Sequence, residues 1–413
     1  MQAETSVRKE KLWNRNYLRT WGANFSLFFS FMLIVPLLPI YLQERFGASK
    51  EVIGVVLSGY TVVALLTRAT SGYMVDKYPR KQVLVLGFVL LTFFYVGYVA
   101  AGSLLLFAAV RTLHGVPFGV STVSNSTVAI DVLPESRRAE GIGYYGLSNN
   151  VATAISPTVG LWMYEMWHDF DILFCCSMAT ALFGVWCVST IHIDSKELTE
   201  IATPPTPQDT SDKALNTKWL DRFFLFDAWP QGICIACYSF AYGVVSTYVA
   251  IYGREELGIS AGSGIFFALL ASGLIVSRLF GSRSLRQGRV IHNATIGTSI
   301  SCLGYLLFAA LHNEVGYYGC AILVGLGNGH LWPAFQTMFI SLGPASKRGV
   351  ANASLLTSWD LGVGLGVLSG GSLIEHFGYH TTFWWGWAIE GIGVLFYLAY
   401  ARRKYIEKKL RRA

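Results

Sequence analysis

The second half of the chain repeats the first half at a constant offset of about 210 residues. The matched pairs are Gly115 and Gly325, Gly119 and Gly329, Pro134 and Pro344, Ser136 and Ser346, Arg138 and Arg348, Ser148 and Ser358, and Gly160 and Gly370. A unit this long exceeds the period of solenoid repeats, which is roughly 20–50 residues. In an apolar chain, the repeat predicts two matched membrane-embedded halves, a construction typical of secondary transporters.

The composition and the lengths of the apolar stretches predict a membrane protein. Hydrophobic residues make up 53% of the chain and charged residues 14%, whereas soluble domains carry roughly 25% charged residues. A spanning helix needs about 20 mostly apolar residues. The predicted spans cover residues 18–42, 51–75, 82–102, 104–131, 141–164, 171–191, 223–252, 263–284, 290–311, 315–341, 349–374 and 380–401. The predicted fold is an all-α membrane protein with twelve transmembrane helices in two pseudo-symmetric six-helix bundles.

The placement of lysine and arginine predicts the orientation of the chain. The net charge is +7, and the basic residues fall almost entirely in the loops of one side when the predicted spans alternate. Because positive loops stay in the cytoplasm, both termini are predicted to be cytoplasmic, with the helices in the inner or plasma membrane. The basic residues are scattered over short loops, so we expect no nucleic-acid partner.

One long polar segment separates the two predicted bundles. Within residues 192–221, the run from Ile201 to Asp212 is rich in proline, threonine and aspartate. Such a run buries too little apolar area to fold alone, and helix parity places it in the cytoplasm. The predicted organisation is an N-terminal bundle over residues 1–191, a cytoplasmic linker over 192–221 and a C-terminal bundle over 222–413.

The sequence predicts neither a metal site nor a cofactor. All seven cysteines lie in predicted spans, and Cys234 and Cys237 lack a second pair to complete a tetrahedral zinc site. We find no P-loop and no arrangement of nucleophile and base. We therefore expect a protein that is not an enzyme and that is not driven by ATP.

A charged turn follows the second predicted span. The residues that characterise this turn are Gly72, Asp76, Lys77, Arg80 and Lys81. Glycine permits close helix approach, and an acid followed by basic residues can clamp a neighbouring helix end. The segment resembles the signature loop of the major facilitator superfamily, with Pro79 where that family usually has glycine. The resemblance implies that Asp76 faces the start of the eleventh helix.

Further segments resemble the same family in the same order. Arg111 to Gly115 is similar to the R-x-x-x-G pattern of the fourth helix, and the stretch from Asp131 to Arg138 resembles the connection that follows it. The resemblance implies that Arg80 reaches Asp131, and that such contacts hold an outward-open state and release in an inward-open one. The second half has no acid equivalent to Asp76, so this charge relay is expected mainly in the first half.

The fifth predicted span carries a pattern associated with antiporters. Ser156, Pro157 and Gly160 resemble a degraded G-x-x-x-G-P-x-x-G-G motif, in which Ser156 and Leu161 replace glycines. Within the family, the chain resembles drug/proton antiporters and related exporters of small molecules most.

Several polar side chains are predicted near the middle of the membrane, where a buried ionisable group costs roughly 3 kcal/mol or more and marks a pathway or a pair. The predicted substrate or proton path comprises Arg111, His114, Asn149, Asn150, His330, Trp332 and Asp360. Asp360 is our expected binding residue for a proton or substrate. Two alternatives stay open. Arg111 forms a structural pair or extends outward to the membrane surface, and His330 is a hydrogen-bonded histidine that serves packing. Glu390 and Asp227 are weaker candidates.

The leading hypothesis is proton-driven export of a small organic molecule by alternating access, by a monomer in the lipid bilayer. The alternative is proton symport or facilitated uptake of a sugar, nucleoside or other metabolite, and only the antiporter-like pattern separates the two. A receptor or membrane enzyme with this fold is the distant alternative. Vesicles that carry a proton gradient of either sign discriminate export from uptake.

Overall fold

A computed structural model of the chain describes residues 11–134, 137–192, 224–259, 262–286, 289–343 and 348–410. Throughout these ranges the secondary structure is helical, without a strand. The all-α prediction is therefore confirmed. The predicted linker lies outside the described residues, apart from its first residue.

The first half of the molecule consists of seven α-helices over the described ranges. They are α1 (Arg15–Ile34), α2 (Leu38–Phe46), α3 (Lys50–Lys77), α4 (Arg80–Ala100), α5 (Leu104–Asp131), α6 (Arg138–Trp167) and α7 (Phe170–Ser189). A 3-10 turn at Val35–Leu37 joins α1 to α2, because Pro36 and Pro39 have no amide hydrogen for a continuous α-helix. The Ser49 side chain accepts the Val52 amide and fixes the start of α3.

The second half contains the remaining described helices. They are α8 (Trp229–Glu256), α9 (Gly262–Arg286), α10 (Val290–Ala310), α11 (Glu314–Leu342), α12 (Arg348–Phe396) and α13 (Arg402–Leu410). A π-helical turn at Tyr397–Ala401 separates the last two. Gly378 interrupts α12 with φ of 78°, a backbone conformation that glycine adopts without strain. The eleventh and twelfth predicted spans therefore lie on the two parts of α12.

Within the described residues, seven helical segments are long and apolar enough to cross a membrane. The long helices that fall outside this group are α6, α9, α11 and α12. Three of these, α6, α9 and α12, pack across the boundary between the halves, where small and polar residues replace lipid-facing apolar ones. Each predicted span lies on a helix, but the count of twelve membrane crossings stays a prediction.

The packing of the helices repeats between the halves. In the first half α1 packs against α6, and α3 and α4 pack against α5; in the second half α8 packs against α12, and α9 and α10 pack against α11. The two most extensive contacts between the halves are α3 with α12 and α6 with α9. These two contacts are also equivalent under the repeat, because α3 corresponds to α9 and α12 to α6.

The repeated glycines make the same helix contact in each half. A side chain at Gly115 of α5 would collide with the Tyr60 carbonyl of α3, and one at Gly325 of α11 would collide with the Leu270 carbonyl of α9. Tyr60 and Leu270 are themselves 210 residues apart. Small residues at such positions allow helix backbones to approach closely.

Candidate functional site

An ion pair joins the two halves where α3 meets α12. The Arg68 guanidinium donates to the Asp360 carboxylate, and the two side chains are only 13% and 14% exposed. Both charges are therefore largely removed from solvent, where pairing offsets part of the cost of burying them. The predicted path contains Asp360 but not Arg68. The available signal was that a charged acid inside the membrane is costly and is commonly paired with a basic residue.

An aromatic side chain of the first half lies beside Arg68. The Arg68 Cζ lies 6.0 Å from the ring centre of Phe118, and Phe118 packs against Tyr60 with ring centres 5.5 Å apart. This aromatic group also contacts Arg111, whose Cζ lies close to the Tyr60 ring. Tyr60 therefore connects the ion pair to a second buried cation.

Arg111 is that second cation, and it lies inside the first half with 3% exposure. Its Cζ lies 4.3 Å from the ring centre of Tyr60 and 4.9 Å from that of Phe31. Its Nη1 donates to the Tyr98 hydroxyl over 3.2 Å. Aromatic faces and one hydroxyl stabilise this guanidinium, and no carboxylate pairs with it among the described residues.

His114 shares the same hydroxyl. Its Nδ1 lies 2.8 Å from the Tyr98 oxygen, and its ring stacks on Phe94 with centres 5.4 Å apart. Its other nitrogen, Nε2, has no hydrogen-bond partner in the described part of the chain. Tyr98 therefore couples the two polar groups that the sequence placed on this helix.

In the second half, the path residues divide between two environments. Trp332 packs edge-on against Trp359, with ring centres 5.1 Å apart, and Trp359 immediately precedes Asp360. His330 instead lies beside Asn293 of α10, at 3.1 Å from Nδ1 to Oδ1. This contact lies within one bundle, which agrees with the packing role left open for His330.

Asn149 and Asn150 lie half-buried on α6. The Thr153 hydroxyl donates to Asn149 over 3.0 Å. Asn150 occupies the position that the repeat relates to Asp360, but the ion-pair partner of Asp360 is Arg68.

The charged turn after α3 is described in part. Arg80 Nη1 donates to both carboxylate oxygens of Asp131, at 2.7 and 2.8 Å, which is the contact that the family resemblance implies. Lys81 is half-buried. The surroundings of Gly72 and the side chains of Asp76, Lys77 and Arg138 lie outside the described part of the chain.

Charged residues also join the halves at the end of the molecule that carries the turns at Gly47, Gly258 and Gly378, which we call the distal end. Arg254 of the second half pairs with Glu44 of the first, and Lys50 of the first half pairs with Glu255 of the second over 2.8 Å. The Gln43 amide and the Tyr379 hydroxyl also donate to Glu255, each over 2.8 Å. We call these six residues the distal network.

The distal network is closed while the Arg80–Asp131 contact is formed. That such contacts hold an outward-open state and release in an inward-open one stays a prediction. Arg80 and Asp131 both belong to the first half, so their bond does not have to break when the halves move relative to each other.

The antiporter-like residues of α6 serve helix packing. The Ser156 hydroxyl donates to the Ala152 carbonyl over 2.7 Å, and Pro157 is buried inside the helix. A side chain at Gly160 would collide with the Leu33 carbonyl of α1. The segment therefore allows α6 to approach α1.

We expect Gly160→Ala to destabilise the protein by about 1–3 kcal/mol, because overpacking forces α6 away from α1. Thermal unfolding of the purified protein in detergent measures the loss. Gly146→Ala is the matched control, since nothing lies within 4 Å of a side chain there. Equal melting temperatures for both variants would contradict the packing role of Gly160.

Across the described ranges, no three histidine, cysteine or acidic side chains converge as metal ligands. All seven cysteines are free. The polar groups described above are therefore arranged for charge pairing and hydrogen bonding.

Comparison with known proteins assigns the fold and its relatives. The sequence profile described as Major Facilitator Superfamily matches residues 20–367 and 286–413. The Staphylopine export protein of Staphylococcus aureus is 25% identical over 84% of this chain and 86% of its own length. The Multi-drug resistance efflux pump PmrA of Streptococcus pneumoniae is 23% identical over 90% of this chain and 92% of its own.

Solved structures share the fold at low sequence identity. A D-xylose-proton symporter superposes with a TM-score of 0.76 at 14% identity, covering 94% of this chain and 97% of that one. A POT family transporter in complex with a thioalcohol-conjugated peptide gives a TM-score of 0.75 at 15% identity, covering 94% of this chain and 96% of that one.

Proposed function

The chain belongs to the major facilitator superfamily, and from this premise we propose that it is a proton-coupled exporter of a small organic molecule that acts as a monomer. It is a membrane transporter and not an enzyme. The observation that carries the proposal is the buried Arg68–Asp360 pair between the halves. A charge pair at this boundary has to be broken or exchanged when the halves move relative to each other.

A proton on Asp360 changes the strength of that boundary. The neutral acid loses its charge attraction to Arg68, so the α3–α12 contact weakens; deprotonation restores it. A cationic substrate group competes with Arg68 for the same carboxylate. Coupling follows because the proton and the substrate each bind the two conformations with different affinity. A ligand that binds both conformations equally does not change their ratio.

We infer that the distal end faces the outside of the cell, with both termini in the cytoplasm. The positive-inside distribution of the basic residues supports this orientation. Counting the parts of α12 on either side of Gly378 separately, the proposal has twelve crossings in two six-helix bundles. Because the distal network is formed, this conformation is closed to the outside in the proposal. An exporter needs such a conformation to bind its substrate from the cytoplasm.

The relatives favour export over uptake. Two of them are named an export protein and an efflux pump, and the α6 residues resemble an antiporter pattern. The solved D-xylose-proton symporter shares only the fold at 14% identity. Proton-coupled or facilitated uptake is therefore the second candidate.

Transport in reconstituted vesicles tests the proposal. A thermal-shift screen of metabolites and drugs in detergent first selects a ligand, and that ligand is then loaded into vesicles with a proton gradient of either sign. For an exporter, flux of the ligand opposes flux of protons and reverses when the gradient is reversed. Flux of both in the same direction would establish uptake, and flux that ignores the gradient would exclude proton coupling.

We expect Glu255→Gln to open the distal end. Glu255 accepts three side-chain hydrogen bonds, one of them from Lys50, so the loss is about 1.4 kcal/mol, or roughly tenfold in the ratio of closed to open molecules. A cysteine placed at buried Ala48, in a background without native cysteines, reports opening by its labelling rate with a membrane-impermeant maleimide.

Glu51→Gln is the control for this experiment, because Glu51 is exposed on the first turn of α3. Glu44→Gln should have the smaller effect, since its pair with Arg254 is 37% and 53% exposed and such pairs contribute about 0.2–1 kcal/mol. A labelling rate in Glu255→Gln equal to that of the control would show that the network does not hold the distal end closed.

A further inference from the structure

A second membrane-embedded acid lies away from the boundary between the halves. Glu390 belongs to the part of α12 that follows Gly378 and is 2% exposed. Neither of its carboxyl oxygens has a hydrogen-bond partner within the described ranges. No described cation pairs with it, in contrast to Asp360.

The groups that face this carboxyl are neutral and come from every helix packed around it. They are Cys237 and Tyr238 of α8, Ser301, Cys302 and Tyr305 of α10, and Cys320 of α11, with Trp387 of α12 beside Cys302. The hydroxyls of Tyr238, Ser301 and Tyr305 also lack a partner in the described part of the chain. The cluster therefore holds one acid and three hydroxyl groups that can donate hydrogen bonds to it.

An isolated carboxylate in such a place is far more costly than a neutral carboxylic acid. The surrounding hydroxyls can turn to donate to the group once it is charged, so the cluster accommodates both protonation states at different cost. We propose that Glu390 is a second proton-binding carboxyl of this transporter, protonated in the conformation described and able to release its proton when the halves rearrange.

The cluster is connected to the boundary through aromatic contacts. The ring of Tyr238 lies 5.7 Å from that of Trp359, and Trp359 precedes Asp360 in the sequence. If the Tyr238 side chain moves to donate to a charged Glu390, the packing of Trp359 beside the Arg68–Asp360 pair changes with it. The effect on transport rests on the proposed function, whereas the protonation of Glu390 does not.

Infrared difference spectroscopy of the purified full-length protein tests the protonation directly. Wild type at neutral pH should show a protonated carboxyl stretching band that Glu390→Gln loses. The matched control Glu314→Gln, at an exposed acid on the first turn of α11, should keep it. Tyr238→Phe should keep the band at a shifted frequency, which preserves the test if Glu390→Gln fails to fold.

Two spectroscopic results would overturn the proposal. The first is an identical carboxyl band in wild type and Glu390→Gln, which would mean that Glu390 is ionised. The second is a Glu390 band that appears only when sodium is omitted, which would mean that the cluster holds a metal cation instead of a proton.

Proton counting in vesicles tests the consequence for transport. Glu390→Gln should move about one proton fewer per substrate than wild type, while Glu314→Gln should move the same number. If wild type itself moves no protons, the proposed function fails and the infrared result still decides the state of Glu390. An unchanged proton count in Glu390→Gln would refute its release during transport.

Discussion

Asp360→Asn is expected to abolish transport driven by a proton gradient while leaving expression and membrane insertion intact. Asparagine keeps the size of the side chain but binds no proton, so the two conformations no longer respond to pH. Exchange of a labelled substrate that has no cationic group should persist across vesicles without a gradient, because it needs neither the Asp360 carboxylate nor a protonation change. The measurement is the flux of the screened ligand with and without the gradient. The gradient-driven flux should fall to the value found for vesicles that contain no protein.

A double variant separates coupling from simple stabilisation. Asp360→Asn leaves the Arg68 cation buried without its carboxylate, which costs about 3–5 kcal/mol. Combining it with Arg68→Gln removes both charges, so thermal stability should recover while coupling stays lost. Asp171→Asn, at an exposed acid on the first turn of α7, controls for the change of charge. Coupling equal to wild type in Asp360→Asn would remove Asp360 from the mechanism.

Arg111→Met is expected to lower transport by about 100-fold or more, equivalent to roughly 2.7 kcal/mol, while raising thermal stability. The guanidinium is buried between Tyr60 and Phe31 without a carboxylate partner, so its removal relieves a desolvation cost. A residue kept only for packing has the opposite signature, because its loss destabilises the fold. Flux in vesicles and melting temperature in detergent provide the two readouts.

Two further variants distinguish the charge of Arg111 from its geometry. Arg111→Lys keeps the charge but cannot face two rings and the Tyr98 hydroxyl together, so its flux should fall between those of wild type and Arg111→Met. Tyr98→Phe removes the hydroxyl alone and reports how much Arg111 and His114 depend on each other. Full transport in Arg111→Met would show that this cation has no role in the cycle.

The helical segments and the duplication could be read from the sequence because they depend on local properties. The length of each span follows from its run of apolar residues. The matched glycines indicated close helix contacts, and both halves make them. Arg111 and Asp360 were found for a related reason, since a charge inside an apolar run is conspicuous whatever its partner. The eleventh and twelfth spans were also located, although a helix divided at Gly378 carries both.

The partners of these residues were decided by the tertiary structure. Arg68 and Asp360 are 292 residues apart in the sequence, and neither their pairing nor the distal network follows from spacing. A helix turns through about 100° per residue, so the rotation and height that helix packing imposes determine which side chains meet. The sequence by itself therefore determined which charges enter the membrane, whereas the packing of the two halves decided that Asp360 has a cation beside it and Glu390 has none among the described residues.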